Sequence, residues 1–156
     1  MRRQLEMVRD FHRLIGVDST HRMASTRDDM VFRSYASQLA ALSSSAAAGM
    51  LAQPEDKRFI RAHLMIEELG ELMQALADCD ELGALDALAD LLYVVLGTAV
   101  TLDLPVVEAF EEVHRSNMTK RRQSTDAHGE RVRDKGPGYD PPDLARILSE
   151  FKRCEQ

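Results

Sequence analysis

The chain has 156 residues, is 44% hydrophobic and 29% charged, and is therefore too apolar for intrinsic disorder and long enough for one buried core. Acidic residues outnumber basic ones, 26 to 20, for a formal net charge of −6. That argues against a general nucleic-acid binder, because phosphate neutralisation needs a basic surface. Two cysteines, Cys79 and Cys154, form no disulfide framework and no zinc-ligand spacing. The first residues carry charge but no apolar run of the secretory kind, so a cytoplasmic protein is expected.

Helical periodicity dominates. Leu5, Val8, Phe11 and Leu14 recur at three to four residues and stop at Gly16, which suits a helix C-cap. Val31, Tyr35, Leu39 and Leu42 repeat the pattern behind the candidate caps Ser25 and Thr26. The Ala/Ser-rich run from Ala40 to Gly49 reads as a helix end followed by a flexible connection. Pro54, Glu55 and Asp56 open a segment carrying Ile60, Leu64, Leu69, Leu72, Met73 and Leu76. A short turn is expected over 78–83, then an apolar helix from about Leu85 to Leu102. Its most apolar part, Ala87 to Leu102, contains Asp90 and is flanked by Asp86 and Asp103, so a buried helix is expected rather than a membrane span. Tyr93 and the methionines at 65, 73 and 118 read as packing residues.

Pro105 begins a further helix through Val107, Phe110, Val113, His114 and Met118 towards Lys120, Arg121 and Arg122. Residues 123–139 lack apolar periodicity and read as a loop or small hairpin. Pro141, Pro142 and Asp143 then start a short helix to about Arg153. The expected architecture is all-α: a four-helix core at about 55–122 built round an antiparallel helix pair. Extra N-terminal helices precede it and a C-terminal loop and helix, 123–153, follow, all in one domain of 1–156.

The informative segment is Glu67-Glu68-Leu69-Gly70-Glu71, followed after the turn by Asp86-Ala87-Leu88-Ala89-Asp90. Glu67 and Glu71 are four apart, Glu68 and Glu71 three apart, and Asp86 and Asp90 four apart, so each set edges one helix face. With a short connection the helices pack antiparallel and these carboxylates enter one interhelical groove. A solvated acidic face accounts for the first set alone. The second sits among apolar residues, where Asp is seldom buried unless paired or ligating. No Lys or Arg lies between Arg61 and Arg115. Two like charges about 6 Å apart repel by roughly 3 kcal/mol at an effective dielectric of 20, so such a cluster calls for a counter-ion. Hard oxygen donors favour Mg²⁺, with Mn²⁺ as a substitute, and the number of acids suits two or more ions. Such ions recruit phosphates and acidify a bound water, and a spare Glu can take its proton. There is no glycine-rich phosphate loop of the Walker or dinucleotide type. Metal-assisted hydrolysis of a phosphoanhydride is the reaction these features suggest.

The Glu67-Glu68-x-x-Glu71 element, the turn, and Asp86-x-x-x-Asp90-Leu-Leu-Tyr resemble the all-α nucleoside triphosphate pyrophosphohydrolases of the MazG type. Residues 111–120, EEVHRSNMTK, and 135–144, KGPGYDPPDL, resemble a bacterial and phage branch of that superfamily. Val8-Arg9-Asp10-Phe11-His12 fits the same branch. The resemblance implies hydrolysis of a (deoxy)nucleoside triphosphate, of dUTP or dGTP type, to monophosphate and pyrophosphate in nucleotide-pool control. It implies metal ligands at Glu68, Glu71 and Asp90, with Glu67 as a further ligand or general base, and a homodimer or homotetramer. The location would be the cytoplasm, that of a host cell if the chain is phage-encoded. Two departures stand out. Ala87 occupies the position where the family's ExxD motif has its glutamate, so Asp86 is the substitute ligand. Between Gly16 and Phe59 the chain is longer than relatives.

Asn117 and Lys120, three apart on one helix face, suit phosphate or sugar contacts. Lys135 and Tyr139 flank a glycine-rich loop able to close over triphosphate or base, and His63, one turn before Glu67, suits either a base pocket or a hydrogen-bonded structural role. Two other readings compete. A di-iron carboxylate bundle needs two Glu-x-x-His motifs, and only Glu111-x-x-His114 occurs. A non-catalytic helical module that binds nucleotide or partner would tolerate loss of the acids, which are present.

Overall fold

Asp56 and Asp80 decide where the central helices begin. The computed structural model describes residues 1–17, 23, 29–120, 124–125, 131–132 and 136–154. Asp56 accepts a hydrogen bond from Arg58 N at 3.0 Å, and Asp80 accepts from Leu82 N and Gly83 N at 3.1 and 3.0 Å. Both carboxylates thereby satisfy first-turn amides that have no partner within the helix. The helices are α1 (Arg2–Ile15), α2 (Asp29–Ala52), α3 (Lys57–Asp78), α4 (Glu81–Leu102), α5 (Val106–Met118) and α6 (Leu144–Cys154). Two-residue strands, β1 (Ser124–Thr125) and β2 (Arg131–Val132), pair antiparallel within the segment expected to be a loop or hairpin. The all-α architecture is as expected. The candidate caps Ser25 and Thr26, together with Arg121 and Arg122, lie outside the described residues.

The chain divides into two compact units, Arg22–Asp103 and Met1–His21 with Leu104–Gln156. In the first, α3 packs against α2 on one side and α4 on the other. The join between α3 and α4 is shorter than the expected 78–83 turn and consists of Cys79 and Asp80 alone. Cys79 takes the left-handed conformation at φ 53°, and Asp80 N donates to Ala75 O at 2.9 Å. This closes the last carbonyls of α3 without a glycine.

The Ala/Ser run does not loosen into a connection; α2 continues to Ala52. Alanine has the highest helix propensity, and Ser44 Oγ donates back to Ala40 O at 3.0 Å. The small residues also let α3 approach: a Cβ on Gly49 would stand 2.9 Å from the Phe59 ring.

The buried apolar residues are Ala36, Ala75, Ala77, Ala84, Ala87, Val94 and Ala99. Alanines bring the helices close but bury little area each. Larger side chains on α4 remain at the surface, including Leu82 (77% exposed), Leu85 (67%), Tyr93 (80%) and Val100 (82%). The expectation of a buried α4 with Tyr93 in the core is therefore corrected. The 22 residues of α4 are long and apolar enough to cross a bilayer, by length and composition only. Its acids Glu81, Asp86 and Asp90, however, would be costly at membrane depth.

In the second unit α5 contacts α1 and α6. Gly16 ends α1 at φ 72°, as its sequence position predicts. Glu112 on α5 is buried, at 7% exposed. Its carboxylate accepts from Arg115 Nε and Nη2 at 2.9 and 2.8 Å and from Asp143 N at 2.8 Å. Arg115 also donates to Asp140 Oδ2 at 2.6 Å and to Pro141 O at 3.1 Å. These bonds fasten the approach to α6 onto α5.

Candidate active site

Four carboxylates from two helices act on Glu68. Burial raises its pKa above the ordinary glutamate value, and the charges of Glu71, Asp90, Glu67 and Asp86, in that order, raise it further. The charges of the other four acids singled out from the sequence thus reach Glu68. Glu68 Oε2 is buried without a hydrogen-bond partner, an arrangement that costs free energy unless something else satisfies the oxygen. The surroundings differ from expectation in one respect. Asp86 and Asp90 are exposed rather than enclosed, because the apolar side chains around them are uncovered. Ala87, where the usual motif has an acid, is only 2% exposed and packs in the core.

A divalent cation fits this donor set by chemistry: hard oxygens, one of them orphaned, with no guanidinium or ammonium among the described residues paired to them. Among the described residues, no three acidic, His or Cys side chains already stand together as a metal-holding group. Ligation therefore requires the carboxylates to close in.

Glu67 and Glu71 also face α2. Between α2 and α3 lies a cavity of about 440 Å³, lined by both glutamates and by Ala36, Ser37, Gly70 and Gln74 among others. His63 stands beside this face. Its Nδ1 is 3.1 Å from Ser43 Oγ and its Nε2 is 3.8 Å from Glu67 Oε2. His63 is thus next to Glu67, as its position one turn earlier predicts.

The other candidate residues belong to the unit built round α5. Lys120 Nζ donates to Asn117 Oδ1 at 2.6 Å and lies 5.7 Å from the centre of the Phe11 ring. Tyr139 N donates to Gly136 O at 2.8 Å in the turn before α6. Lys135 lies outside the described residues.

Two features were missed from the sequence. The α2–α3 cavity depends on a helix read as half flexible. Arg61, on the stripe of α3 that carries Glu68, has a buried Nε without a partner. A signal for it existed: it is the last cation before the long uncharged-by-base stretch and lies seven residues from Glu68.

A helical hairpin with acids gathered across its two arms is the arrangement of an all-α pyrophosphohydrolase. The phosphoribosyl-ATP pyrophosphohydrolase family matches residues 32–117, and the chain belongs to that family. The match begins within α2 and so takes in part of the stretch between Gly16 and Phe59. It ends before the 135–144 motif. No curated protein and no solved structure matches.

Proposed function

We propose that the protein hydrolyses a nucleoside triphosphate to the monophosphate and pyrophosphate, with Mg²⁺ or Mn²⁺ held by Glu67, Glu68, Glu71, Asp86 and Asp90. The observation that carries this reading is the buried, unpartnered Glu68 Oε2 under the charge of four other acids. Membership of a pyrophosphohydrolase family supports the same chemistry. Held by these carboxylates, two or more such cations would supply screening of the phosphate charge and a lowered pKa for the attacking water. Glu67, at the border between the acids and the α2–α3 cavity, takes the proton as that water attacks the α-phosphorus. The bond from the α-phosphorus to the bridging oxygen breaks, and pyrophosphate leaves with the electron pair. The cavity lined by Ser37, Gly70 and Gln74 receives the nucleoside, with His63 holding Glu67 in place. Asn117, Lys120, Lys135 and Tyr139 serve as phosphate or sugar contacts.

A deoxynucleotide of dUTP or dGTP type is the expected substrate, in the cytoplasm and in nucleotide-pool control. The family's name adds phosphoribosyl-ATP, another triphosphate, to the panel. The protein assembles as a homodimer or homotetramer through the apolar stripe of α4, Leu82, Leu85, Tyr93 and Val100, too large a set to leave in water.

The test is pyrophosphate release from each dNTP, NTP and phosphoribosyl-ATP with and without Mg²⁺ or Mn²⁺, repeated for Glu68→Gln and Asp90→Asn. Turnover that needs metal and vanishes in both variants is expected. Undiminished turnover in either variant, or none from any substrate, overturns the reading.

A further inference from the structure

Arg61 is the nearest cation to the acids along α3, and no described residue pairs with it. It makes no ion pair or hydrogen bond among the described residues, and its Nε is buried. Its guanidinium lies across α4 at Gly97: a Cβ there would stand 2.9 Å from Arg61 Nη1. A side chain at 97 would therefore displace it. Asp90 lies seven residues before Gly97, just as Arg61 lies seven before Glu68. The two pairs thus share one antiparallel seam, two helical turns and roughly 10 Å apart.

A half-buried guanidinium without a carboxylate is a receptor for an anion, because its fork of donors matches phosphate oxygens and cannot discharge by losing a proton. Along α3 the cavity lining runs from Ile66 to Gln74 and takes in Glu67 and Glu71, with Glu68 among them and Arg61 beyond its N-terminal end. A nucleotide with its nucleoside in the cavity and its α-phosphate at the acids directs the rest of its phosphate chain along α3 to Arg61.

We infer that Arg61 binds the terminal phosphates of the substrate, and hence the pyrophosphate product, and that Gly97 is small to leave the guanidinium room. This rests on the pyrophosphohydrolase reading and extends it to the direction in which the triphosphate lies. It also assigns the leaving group a cationic site separate from the metal ligands.

Binding of inorganic pyrophosphate to the full chain, measured calorimetrically without metal and with Mg²⁺, tests it in wild type, Arg61→Met, Arg61→Lys and Gly97→Ala. A nucleoside monophosphate is the control ligand. Arg61→Met is expected to weaken pyrophosphate binding at least about tenfold, the scale of one hydrogen bond to a charged group. Arg61→Lys recovers part of the loss, and Gly97→Ala falls between wild type and Arg61→Met. Monophosphate affinity stays unchanged. The unliganded Arg61→Met protein melts no lower than wild type, since an unpartnered buried group has been removed.

Unchanged pyrophosphate affinity in Arg61→Met overturns the inference. So does a lowered melting temperature with both ligands weakened equally, which marks a packing role, or a changed oligomeric mass with pyrophosphate binding intact, which marks a contact between copies. If wild type turns over triphosphates and Arg61→Met keeps its KM and pyrophosphate affinity, this inference fails alone. If wild type turns over none, the activity reading fails, and metal-free pyrophosphate binding still decides the role of Arg61.

Discussion

Glu68 and Glu112 are the same residue type in different compact units of one chain, and their environments push them in opposite directions. Glu112 is surrounded by donors, two nitrogens of Arg115 and the amide of Asp143, which hold its pKa down at about 2. Glu68 has a buried oxygen with no donor and four carboxylates acting on it, and its pKa is raised. The first acid is satisfied by the protein itself and ties α5 to the start of α6. The second is left unsatisfied at a cost to stability, as expected where a bound group completes the site.

The largest expected difference between them is in activity. Glu68→Gln and Asp90→Asn each lower pyrophosphate release by about 100-fold or more, on the scale of losing a group that stabilises developing charge. Glu68→Gln nevertheless melts a few degrees higher at neutral pH, because a carboxylate with a raised pKa destabilises the fold when charged. A fall in both activity and melting temperature would break the contrast.

Association comes next. Leu85→Glu combined with Val100→Glu places two charges in the α4 stripe and is expected to yield a single-chain mass by light scattering where wild type is larger. A single-chain mass for wild type refutes the proposed assembly.

Glu112→Gln loses the charge that Arg115 and Asp143 N address, and is expected to lower the melting temperature by several degrees. The pH dependence follows the sign of the shift. A folded-state value of about 2, below the ordinary glutamate value of 4.5, makes the stabilisation complete above pH 4.5. It is lost as pH falls towards 2. Hydrogen exchange should therefore rise in α5 and α6 across that window in wild type, and less so in Glu112→Gln.

The smallest effect sharpens the assignment within the acids. Asp86 acts on Glu68 less than any of the other three, so Asp86→Asn is expected to reduce turnover only severalfold, well short of Asp90→Asn. Equal losses would give both aspartates the same standing.

Much of this was legible in local spacing. Gly16 as a cap, Asp56 at the opening of α3, Pro105 before α5 and the five acids all follow from residues three or four apart or from punctuation at helix ends. The length of α2 is obscured by its low complexity, which resembles that of a linker, although alanine favours the helix and Ser44 bonds within it. The exposure of Asp86, Asp90 and Tyr93 was hidden for a different reason. Periodicity identifies an apolar face but not which molecule covers it. The clamp on Glu112 was legible only in part. Glu112 and Arg115 are three apart, while Asp140 and Asp143 arrive from more than twenty residues away through bonds that no local pattern encodes.

The link between α3 and α4 contains only Cys79 and Asp80. With so little slack, it works as an indexing device for the acids: chain length at that point sets the rotational phase of Asp86 and Asp90 against Glu68. One inserted residue absorbed into α4 would turn that helix by about 100° and carry both aspartates off the seam. The number of residues at this corner is thus as much a determinant of the site as the identity of the acids it aligns.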